Sequence, residues 1–326
     1  MLNRKNIAIL CSGGDVSGMN AALKRFVEYS KLKGLTPFFV DHGYEGLIDN
    51  HIYKAEYCDV AGIISRGGTK IHTTRSKRFM EKKYRAEALS NLRAHDIGYL
   101  IVLGGDGSFK GLQKLSDESN DISFSGIPAT IDNDIAGTEY SLGVDTALNI
   151  IKGAIDSIRD TASSFERAFV IETMGRECGY LALVSALTGG AEMCLIPEIP
   201  YNLERYKKSF LKQKKRGRTY FIALVSESLN KAEEIAKWFE TELDMDSRVT
   251  ILGHIQRGGN PTMHDRLMAF HFVTHAIDGL LLGNKSSVIC YNDGGFDHKK
   301  IENVAFKKSE ISTDLLKLGM EYGNIV

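Results

Sequence analysis

The chain has 326 residues, of which 43% are hydrophobic and 25% are charged, and its 41 basic residues balance 41 acidic ones. This length predicts about two domains, and the neutral balance gives no indication of binding to nucleic acid or to a membrane surface. The five cysteines are scattered and include no CxxC pair, which argues against a disulfide framework and a zinc site and favours a reducing cytoplasm. No stretch approaches the roughly 20 apolar residues of a membrane span.

Short apolar runs followed by glycine-rich turns recur along the chain, and we interpret them as buried parallel strands. In chain order these segments are NIAILCSGGDVSGMN from residue 6, YLIVLGGDGS from 99, FSGIPAT from 124, AFVIETMGRECGY from 168, YFIALVSE from 220 and VTILGHIQRGG from 249. The pattern predicts an α/β fold with doubly wound sheets. Ligands of such sheets bind at the carboxyl ends of the strands, where we expect the glycines, aspartates and arginines to gather.

The first glycine turn, GGDVSGMN at residues 13–20, precedes a helix that we predict to begin near Ala21. Backbone N–H groups and the positive end of that helix can face an anion. The spacing resembles a P-loop, but Met19 and Asn20 stand where lysine and a hydroxyl residue are required, so a P-loop NTPase is excluded. A dinucleotide fold of the dehydrogenase type has no motif support, because no GxGxxG follows a strand. Taken alone, such a turn is also ordinary packing.

Two further turns carry acidic side chains. In GGDGS at residues 104–108, the glycines let the backbone approach a ligand. Asp106 offers one hard oxygen to a magnesium ion that bridges nucleotide phosphates, although an aspartate here can also cap the next helix. In TIDND at residues 130–134, Asp132 can act as general base on a substrate hydroxyl. Phosphoryl transfer requires a base, a metal and cations around the moving charge.

Arginines can supply the cations. A guanidinium group holds phosphate in a bidentate fork, although each arginine taken alone is an ordinary surface residue. Five arginines lie in or beside the predicted strand ends and turns: Arg75, Arg167, Arg176, Arg248 and Arg257. His254 taken alone is typical of a core histidine, and the basic run KQKKRGR at residues 212–218 is typical of a solvated loop.

Together these segments resemble the ATP-dependent 6-phosphofructokinases of the bacterial type. That family's order and spacing are matched, over essentially the whole chain, by SGGDVSGMNAA, RGGT, GGDGS, PATIDNDIAGTEYSLGVDTA, ETMGRECGYLAL and LGHIQRGGNP. The resemblance implies magnesium-dependent transfer of the γ-phosphate of ATP to the 1-hydroxyl of fructose 6-phosphate, the committed step of glycolysis. It also implies a cytoplasmic homotetramer.

The resemblance further implies two similar doubly wound α/β domains with mostly parallel sheets and an active site in the cleft between them. The predicted ATP-binding domain comprises residues 1–143 and 256–306, and the fructose-6-phosphate-binding domain comprises residues 144–255 and 307–326.

By motif, the resemblance makes Asp132 the base, Asp106 the magnesium-side carboxylate and Arg176 the cation that stabilises the transferring phosphoryl group. The catalytic set is Gly14, Arg75, Thr130, Asp132 and Arg176. The ATP-binding set is Gly14, Tyr44, Arg75, Ser76, Gly105, Asp106, Gly107, Ser108 and Gly111. The substrate-binding set is Thr130, Ile131, Asp132, Arg167, Met174, Gly175, Arg176, Glu227, Arg248, His254 and Arg257. In this set, Arg257 matches a 6-phosphate ligand, and Arg167 and Arg248 match residues that reach a neighbouring subunit.

Two positions bear on the phosphoryl donor. Pyrophosphate-dependent relatives have an aspartate where this chain has Gly107 and a lysine where it has Ala129, so Gly107 favours ATP. Ala129 nevertheless departs from the glycine of the ATP type, which makes a pyrophosphate-dependent enzyme one alternative. Ser76 replaces an aromatic residue usual beside Arg75, which predicts an altered nucleotide pocket.

The family's effector site, which binds ADP or phosphoenolpyruvate between subunits, is matched only in part. The candidate effector residues are Arg159, Gly190, Glu192, Arg216, Arg218 and Tyr220, the last in place of a histidine. Lys24 and Glu28 replace two arginines, and Gly62 replaces an aspartate. Glu28 reverses a charge that would attract phosphate, which predicts weakened or redirected allostery.

Two other interpretations stay open. GGDG turns also occur in NAD kinases and lipid kinases, but TIDND, MGR and HIQRGG argue against that class, since those enzymes need no sugar-phosphate cage. A catalytically inactive nucleotide or sugar-phosphate sensor is the non-enzyme alternative. The presence of Asp106, Asp132 and Arg176 argues against the sensor.

Overall fold

The computed structural model describes residues 5–321, so the outermost ends of the two predicted domains, residues 1–4 and 322–326, lie outside the described residues. The chain divides into two units: unit 1 comprises Met1–Thr146 and Arg257–Ser309, and unit 2 comprises Ala147–Gln256 and Glu310–Val326. The predicted domains end at residues 143, 255 and 306, and the corresponding ends in this division are residues 146, 256 and 309, so each pair differs by one to three residues. Which unit binds which ligand stays a prediction.

Strands and helices alternate along most of the chain. The strands are β1 (Asn6–Cys11), β2 (Thr36–Val40), β3 (Ile52–Lys54), β4 (Ile97–Gly104), β5 (Ser123–Pro128), β6 (Ala168–Thr173), β7 (Met193–Leu195), β8 (Phe221–Ser226), β9 (Ser247–Ile251), β10 (Ser286–Asn292) and β11 (Gly295–Lys300). The helices are α1 (Met19–Leu32), α2 (Gly43–Ile48), α3 (Lys82–Ala94), α4 (Asp106–Asp117), α5 (Val144–Phe165), α6 (Tyr180–Gly189), α7 (Leu203–Lys215), α8 (Ala232–Leu243), α9 (Met263–Leu281) and α10 (Thr313–Glu321).

Unit 1 is built on a seven-stranded sheet with the order β11-β10-β5-β4-β1-β2-β3. The inner pairs are parallel, and only the edge strands β3 and β11 run antiparallel to their neighbours. Strands β1 and β4 are buried along nearly their whole length because apolar side chains fill both faces of the sheet.

Unit 2 is built on a four-stranded, fully parallel sheet with the order β7-β8-β6-β9. One face of this sheet packs on aromatic side chains of α7 and α8, including Phe210, Trp238 and Phe239. The predicted α/β class, with two doubly wound and mostly parallel sheets, is confirmed.

Several features differ from the sequence-based expectation or add to it. Helix α1 begins at Met19, two residues before Ala21, because Gly18 adopts a left-handed φ of 107° and serves as the N-cap. The short strands β3 and β7 and the hairpin strand β11 carried no recognised signal. No disulfide joins any two of the five cysteines, all of which lie in the described part. None of the helices within residues 5–321 is long and apolar enough to cross a membrane.

Candidate active site

The three acidic or glycine-rich turns of unit 1 follow neighbouring strands of one sheet. In the parallel register, Cys11 at the end of β1 pairs with Leu103 of β4, and Gly104 pairs with Pro128 at the end of β5. The turns at residues 13–20, 104–108 and 130–134 therefore lie side by side at the carboxyl edge, as the sequence predicts.

The first turn is tied to two other glycine loops through polar side chains. The Ser17 hydroxyl donates to the carbonyl of Gly259 at 2.9 Å. The Asn20 amide donates to the carbonyl of Gly67 at 3.0 Å, and its oxygen accepts the N–H of Lys70 at 2.7 Å. Asn20, which stands where a P-loop has a hydroxyl residue, thus fixes the RGGT loop. No separate sequence signal predicted this role.

Arg257 lies against this turn, in unit 1. A Cβ added to Gly14 would stand 1.7 Å from Nη1 of Arg257, so only glycine leaves room for the guanidinium group. The Nε atom of Arg257 is buried and has no hydrogen-bond partner within residues 5–321. A guanidinium with a buried, unused donor is suited to an anionic ligand.

Arg75 follows a segment that is pinned to the same turn. The Thr73 hydroxyl donates to the carbonyl of Gly13 at 3.0 Å, and the N–H of Gly13 donates to the carbonyl of Thr74 at 3.3 Å. Ser12 and Thr74 form an isolated parallel bridge. Arg75 itself is exposed, so its side chain is available to a ligand beside the turn.

The second turn opens helix α4. Gly105 is the N-cap, and the Asp106 carboxylate, one residue on, pairs with the Lys110 ammonium at 2.6 Å. No atom of the described chain lies within 4 Å of a Cβ added to Gly107, and its φ is not left-handed. Neither packing nor backbone geometry therefore requires glycine at 107. The missing side chain leaves space at a helix N-terminus, where an anion is stabilised.

Some residues that were predicted to bind the nucleotide instead pack against helix α4. Tyr44 is only 4% exposed, burial raises its pKa, and its hydroxyl donates to the carbonyl of Ser108 at 2.8 Å. The Tyr44 and Phe79 rings stack with centroids 3.9 Å apart, and a Cβ added to Gly111 would stand 3.2 Å from both rings. Phe79 was not among the predicted residues, and its N–H donates to Ser76 Oγ at 3.0 Å. Contacts of these residues with ATP stay a prediction.

The third turn presents Asp132 next to the second. The N–H of Ala129 donates to the carbonyl of Gly104 at 3.0 Å, and Thr130 Oγ1 accepts the N–H of Asp132 at 3.2 Å. Asp132 and Ile131 are each 1% exposed. A contact of Ile131 with substrate stays a prediction.

Asp265 anchors the segment that closes this third turn. It is fully buried and accepts the hydroxyl of Tyr140 at 2.6 Å and the N–H groups of Gly143 at 2.7 Å and Thr146 at 2.8 Å. Burial raises the pKa of Asp265 against the effect of these donors. The sequence analysis missed it, although a threonine three residues earlier, Thr262, marks the start of a helix.

In unit 2, the Glu227 side chain forms hydrogen bonds to the turn that follows β6. Its Oε1 accepts the N–H of Arg176 at 3.0 Å and that of Gly175 at 3.3 Å. Arg176 has a left-handed φ of 51°, and a Cβ on Gly175 would stand 2.3 Å from the carbonyl of Cys178. Four predicted residues, Met174, Gly175, Arg176 and Glu227, are thereby brought together.

Gln256 connects this turn to the one that carries His254. It is 1% exposed, its amide oxygen accepts the N–H of Met174 at 3.2 Å, and its amide nitrogen donates to the carbonyl of Gly253 at 2.9 Å. His254 is exposed in the same short 3-10 turn, residues 253–257. Only the HIQRGG motif hinted at Gln256, and its role as a connector was not predicted.

The expectation that the arginines gather at the carboxyl ends is wrong for two of them. Arg167 immediately precedes β6, and Arg248 is the second residue of β9, which pairs in parallel with β6. Both therefore lie at the amino edge of the sheet, about 20 Å along the strand from the turn with Arg176, at about 3.3 Å per residue. Arg167 Nε stands 3.4 Å from Asp246 Oδ2.

The predicted effector residues of unit 2 form a compact polar cluster. Glu192 is ion-paired with Arg218 and accepts the N–H of Ile222 at 2.8 Å. Arg159 donates to the carbonyl of Gly190 at 3.0 Å, and its hydrogen bond to Tyr220, with a further contribution from Arg218, lowers the pKa of that phenol.

Four further positions bear on the predicted effector site. Arg216 is exposed at the end of α7. Lys24 and Glu28 of unit 1 pair with each other at 2.5 Å, so the reversed charge of Glu28 is neutralised locally. Gly62, also in unit 1, is exposed.

Comparisons with known proteins show the family of the chain. A family model described as phosphofructokinase matches residues 6–280. The chain is 74% identical over 318 residues to an ATP-dependent 6-phosphofructokinase of Sulfurovum sp., covering 98% of this chain and 97% of the relative. It is 62% identical over 313 residues to one of Sulfurimonas denitrificans, covering 96% and 98%. Among solved structures, Pichia pastoris phosphofructokinase in the T-state is similar with a TM-score of 0.87 and 31% identity, over 99% of this chain and 37% of that one.

Proposed function

The chain belongs to the phosphofructokinase family, and we propose that it transfers the γ-phosphate of ATP to the 1-hydroxyl of fructose 6-phosphate, giving fructose 1,6-bisphosphate and ADP. The observation that carries this proposal is the adjacency of two turns at one sheet edge. A Cβ on Gly105 would stand 3.5 Å from the Cβ of Thr130, so the turn with Asp106 and the turn with Asp132 are in van der Waals reach. A phosphate site and a candidate base thus adjoin. We assign the enzyme to the cytoplasm.

We assign the nucleotide to unit 1. The phosphates would meet the N-terminus of α4 above the space at Gly107, with Arg75 as a nearby cation. The helix end and Arg75 supply fixed donors and positive charge without the lysine of a P-loop. Arg257 is assigned to the 6-phosphate of fructose 6-phosphate.

The residues also suit a magnesium ion. Asp106 offers a single carboxylate at the mouth of this space, and Mg²⁺ usually binds through one or two carboxylates, several waters and the substrate phosphates. Asp106 would hold the ion in place of its present partner Lys110. When bound, the ion would neutralise charge on the β- and γ-phosphates.

The chemistry needs one proton acceptor. As the 1-hydroxyl oxygen forms its bond to the γ-phosphorus, Asp132 takes the hydroxyl proton, and the bond from the γ-phosphorus to the departing ADP oxygen breaks. We assign the stabilisation of the transferring group to Arg176, whose position Glu227 fixes. Met174, Gly175, Glu227 and His254 are assigned to the sugar phosphate.

The amino-edge position of Arg167 and Arg248 supports a shared site in an assembled enzyme. Both lie a whole strand away from Arg176 in their own unit. We propose that they serve the sugar-phosphate site of a neighbouring subunit of a homotetramer.

We further propose that response to a phosphorylated effector, ADP or phosphoenolpyruvate, is weak. Lys24 and Glu28 form a neutral pair at the positions where two arginines are expected, and Glu192 is engaged by Arg218 and by the backbone at Ile222. The Lys24–Glu28 pair therefore offers an effector phosphate less positive charge than two arginines would.

The function is tested by a coupled assay for fructose 1,6-bisphosphate with Mg²⁺ and fructose 6-phosphate, comparing ATP with pyrophosphate as donor. We expect activity with ATP only. Asp132→Asn should lower kcat by about 10²–10⁴-fold, the usual contribution of a general base.

The matched control is Asp117→Asn, the same change at the exposed far end of α4. It should leave kcat unchanged. Activity with pyrophosphate would replace ATP as the donor, and no activity with either donor would favour a sensor.

A further inference from the structure

A cluster of metal-binding side chains lies in unit 1 outside the residues assigned above. Asp41, His42 and His72 each offer a ligand atom within 4.8 Å of the others. Their side chains are accessible, with exposed fractions of 26%, 46% and 61%. The two imidazole rings stack with centroids 4.6 Å apart.

The distances within this cluster are already close to those of a coordination sphere. His72 Nδ1 lies 2.8 Å and His42 Nδ1 lies 3.3 Å from Asp41 Oδ1. In a tetrahedral zinc site with bonds of about 2.0–2.1 Å, neighbouring ligand atoms stand about 3.3 Å apart. Side-chain rotations that unstack the two rings and turn their nitrogens toward a common point would let them hold an ion together with Asp41.

The backbone holds the two histidines in place. His42 and His72 have left-handed φ values of 58° and 52°, which few residues other than glycine adopt. The N–H of His42 donates to the carbonyl of Ile71 at 2.9 Å, and the Thr74 hydroxyl donates to the carbonyl of His42 at 2.7 Å. The imidazoles are thus presented by two segments that hydrogen bonds already join.

The geometry points to a surface site for one Zn²⁺ ion, held by Asp41, His42 and His72, with water completing the coordination. Two imidazoles and one carboxylate suit Zn²⁺ and similar transition ions, whereas Mg²⁺ prefers oxygen ligands. The scattered cysteines argue only against a thiolate zinc site. This inference does not depend on the proposed kinase activity.

The site adjoins the segment that precedes Arg75. Thr73 and Thr74 pin this segment to Gly13, and an ion bound to His72 adds a further tie at its start. Zn²⁺ should therefore hold the chain around Arg75 and Ser76 more rigidly, which slows tryptic cleavage after Arg75.

The test is calorimetric titration of the purified full chain with ZnCl₂, in excess Mg²⁺ and without substrates. We expect one Zn²⁺ per chain. His42→Asn and His72→Asn should each weaken binding by at least about tenfold, and asparagine is chosen because it tolerates a left-handed φ. Zn²⁺ should slow trypsin cleavage after Arg75 in the wild type and not in His72→Asn.

The matched control is His271→Asn, because His271 and His275 form another imidazole pair, one turn apart on α9. It should bind Zn²⁺ as the wild type does. The inference is overturned by unsaturable binding to the wild type, by equal binding to the His42 and His72 variants, or by loss of binding in His271→Asn.

Discussion

The carboxyl edges of the two sheets are built in different ways. In unit 1, glycines, hydroxyls and backbone carbonyls hold much of the turns after β1, β4 and β5, as with Ser17 on Gly259 and Ala129 on Gly104. The carboxylate of Asp265 anchors the segment that closes the third of these turns. In unit 2, the turn after β6 is held by the long polar side chains of Glu227 and Gln256.

This difference follows from what each edge presents. Unit 1 offers open space beside helix N-termini, which suits phosphates. Glycine at positions such as Gly14 and Gly107 keeps this space free of side chains. Unit 2 presents a cation, Arg176, whose backbone is left-handed and whose N–H is held by the carboxylate of Glu227. Adding a side chain should therefore damage unit 1, and removing one should damage unit 2.

The largest effect should come from weakening the support in unit 2. Glu227→Gln replaces a carboxylate that accepts two N–H groups with a neutral amide, which loosens the Gly175–Arg176 turn. We expect kcat/KM for fructose 6-phosphate to fall by about 100-fold, as a small misplacement of a catalytic group can cause. Steady-state kinetics with varied fructose 6-phosphate provides the measurement.

Glu233→Gln on α8 is the control, since Glu233 is exposed and lies outside the turn. Unchanged kinetics in Glu227→Gln would mean that the β6 turn needs no carboxylate, and the contrast between the two edges would then fail.

A smaller effect should come from filling the space in unit 1. Gly107→Ala should raise the KM for ATP about tenfold, the equivalent of about 1.4 kcal/mol. Because the added methyl group meets no atom of the described chain and the position is helical, the same change should stabilise the fold by about 0.4–1 kcal/mol. We therefore expect Gly107→Ala to lower the affinity for ATP and to raise the unfolding temperature.

Gly153→Ala offers a matched helical change, since a Cβ there also meets no atom within 4 Å in the described chain. It should raise the unfolding temperature and leave the KM for ATP unchanged. An unaltered KM in Gly107→Ala would show that the space at 107 is not needed by the nucleotide.

Each edge could be predicted from the sequence only in part. The strands that end in glycine turns were found because buried parallel strands lack alternation, and glycines mark close approaches. Side chains that act over long sequence separations were missed. Asp265 meets Gly143 from 122 residues away, and Gln256 meets Met174 from 82 residues away. No local pattern distinguishes such a connector from a surface residue.

The misplaced arginines have a different cause. The strand starts in the sequence, at Ala168 and near Val249, already put Arg167 and Arg248 at the amino ends, and the structure keeps them there. The error lay in the general expectation that all the arginines gather at the carboxyl ends. That rule describes where ligands of one sheet bind, and it does not apply to every arginine that flanks a strand.

The smallest expected effect is on thermal stability, and it comes from the neighbouring carboxylates of unit 2. Burial, with repulsion from Glu227 and then Glu233, raises the pKa of Glu172 above the ordinary 4.5. The unfolded chain releases this proton near pH 4.5, whereas the native chain releases it at a higher pH, so the stability present below pH 4.5 is lost as the pH rises through the native pKa. Glu172→Gln should therefore raise the unfolding temperature at neutral pH and leave it unchanged well below pH 4.5.

Glu234→Gln separates this repulsion from a general effect of removing an acid, because Glu234 is exposed and ion-paired with Lys231. Its loss should not raise the unfolding temperature at neutral pH. If Glu172→Gln also fails to raise it, then the carboxylates that support the Arg176 turn carry no electrostatic cost. Holding turns with charged side chains, as unit 2 does, would then cost the fold no more stability than holding them with glycines and hydroxyls, as unit 1 does.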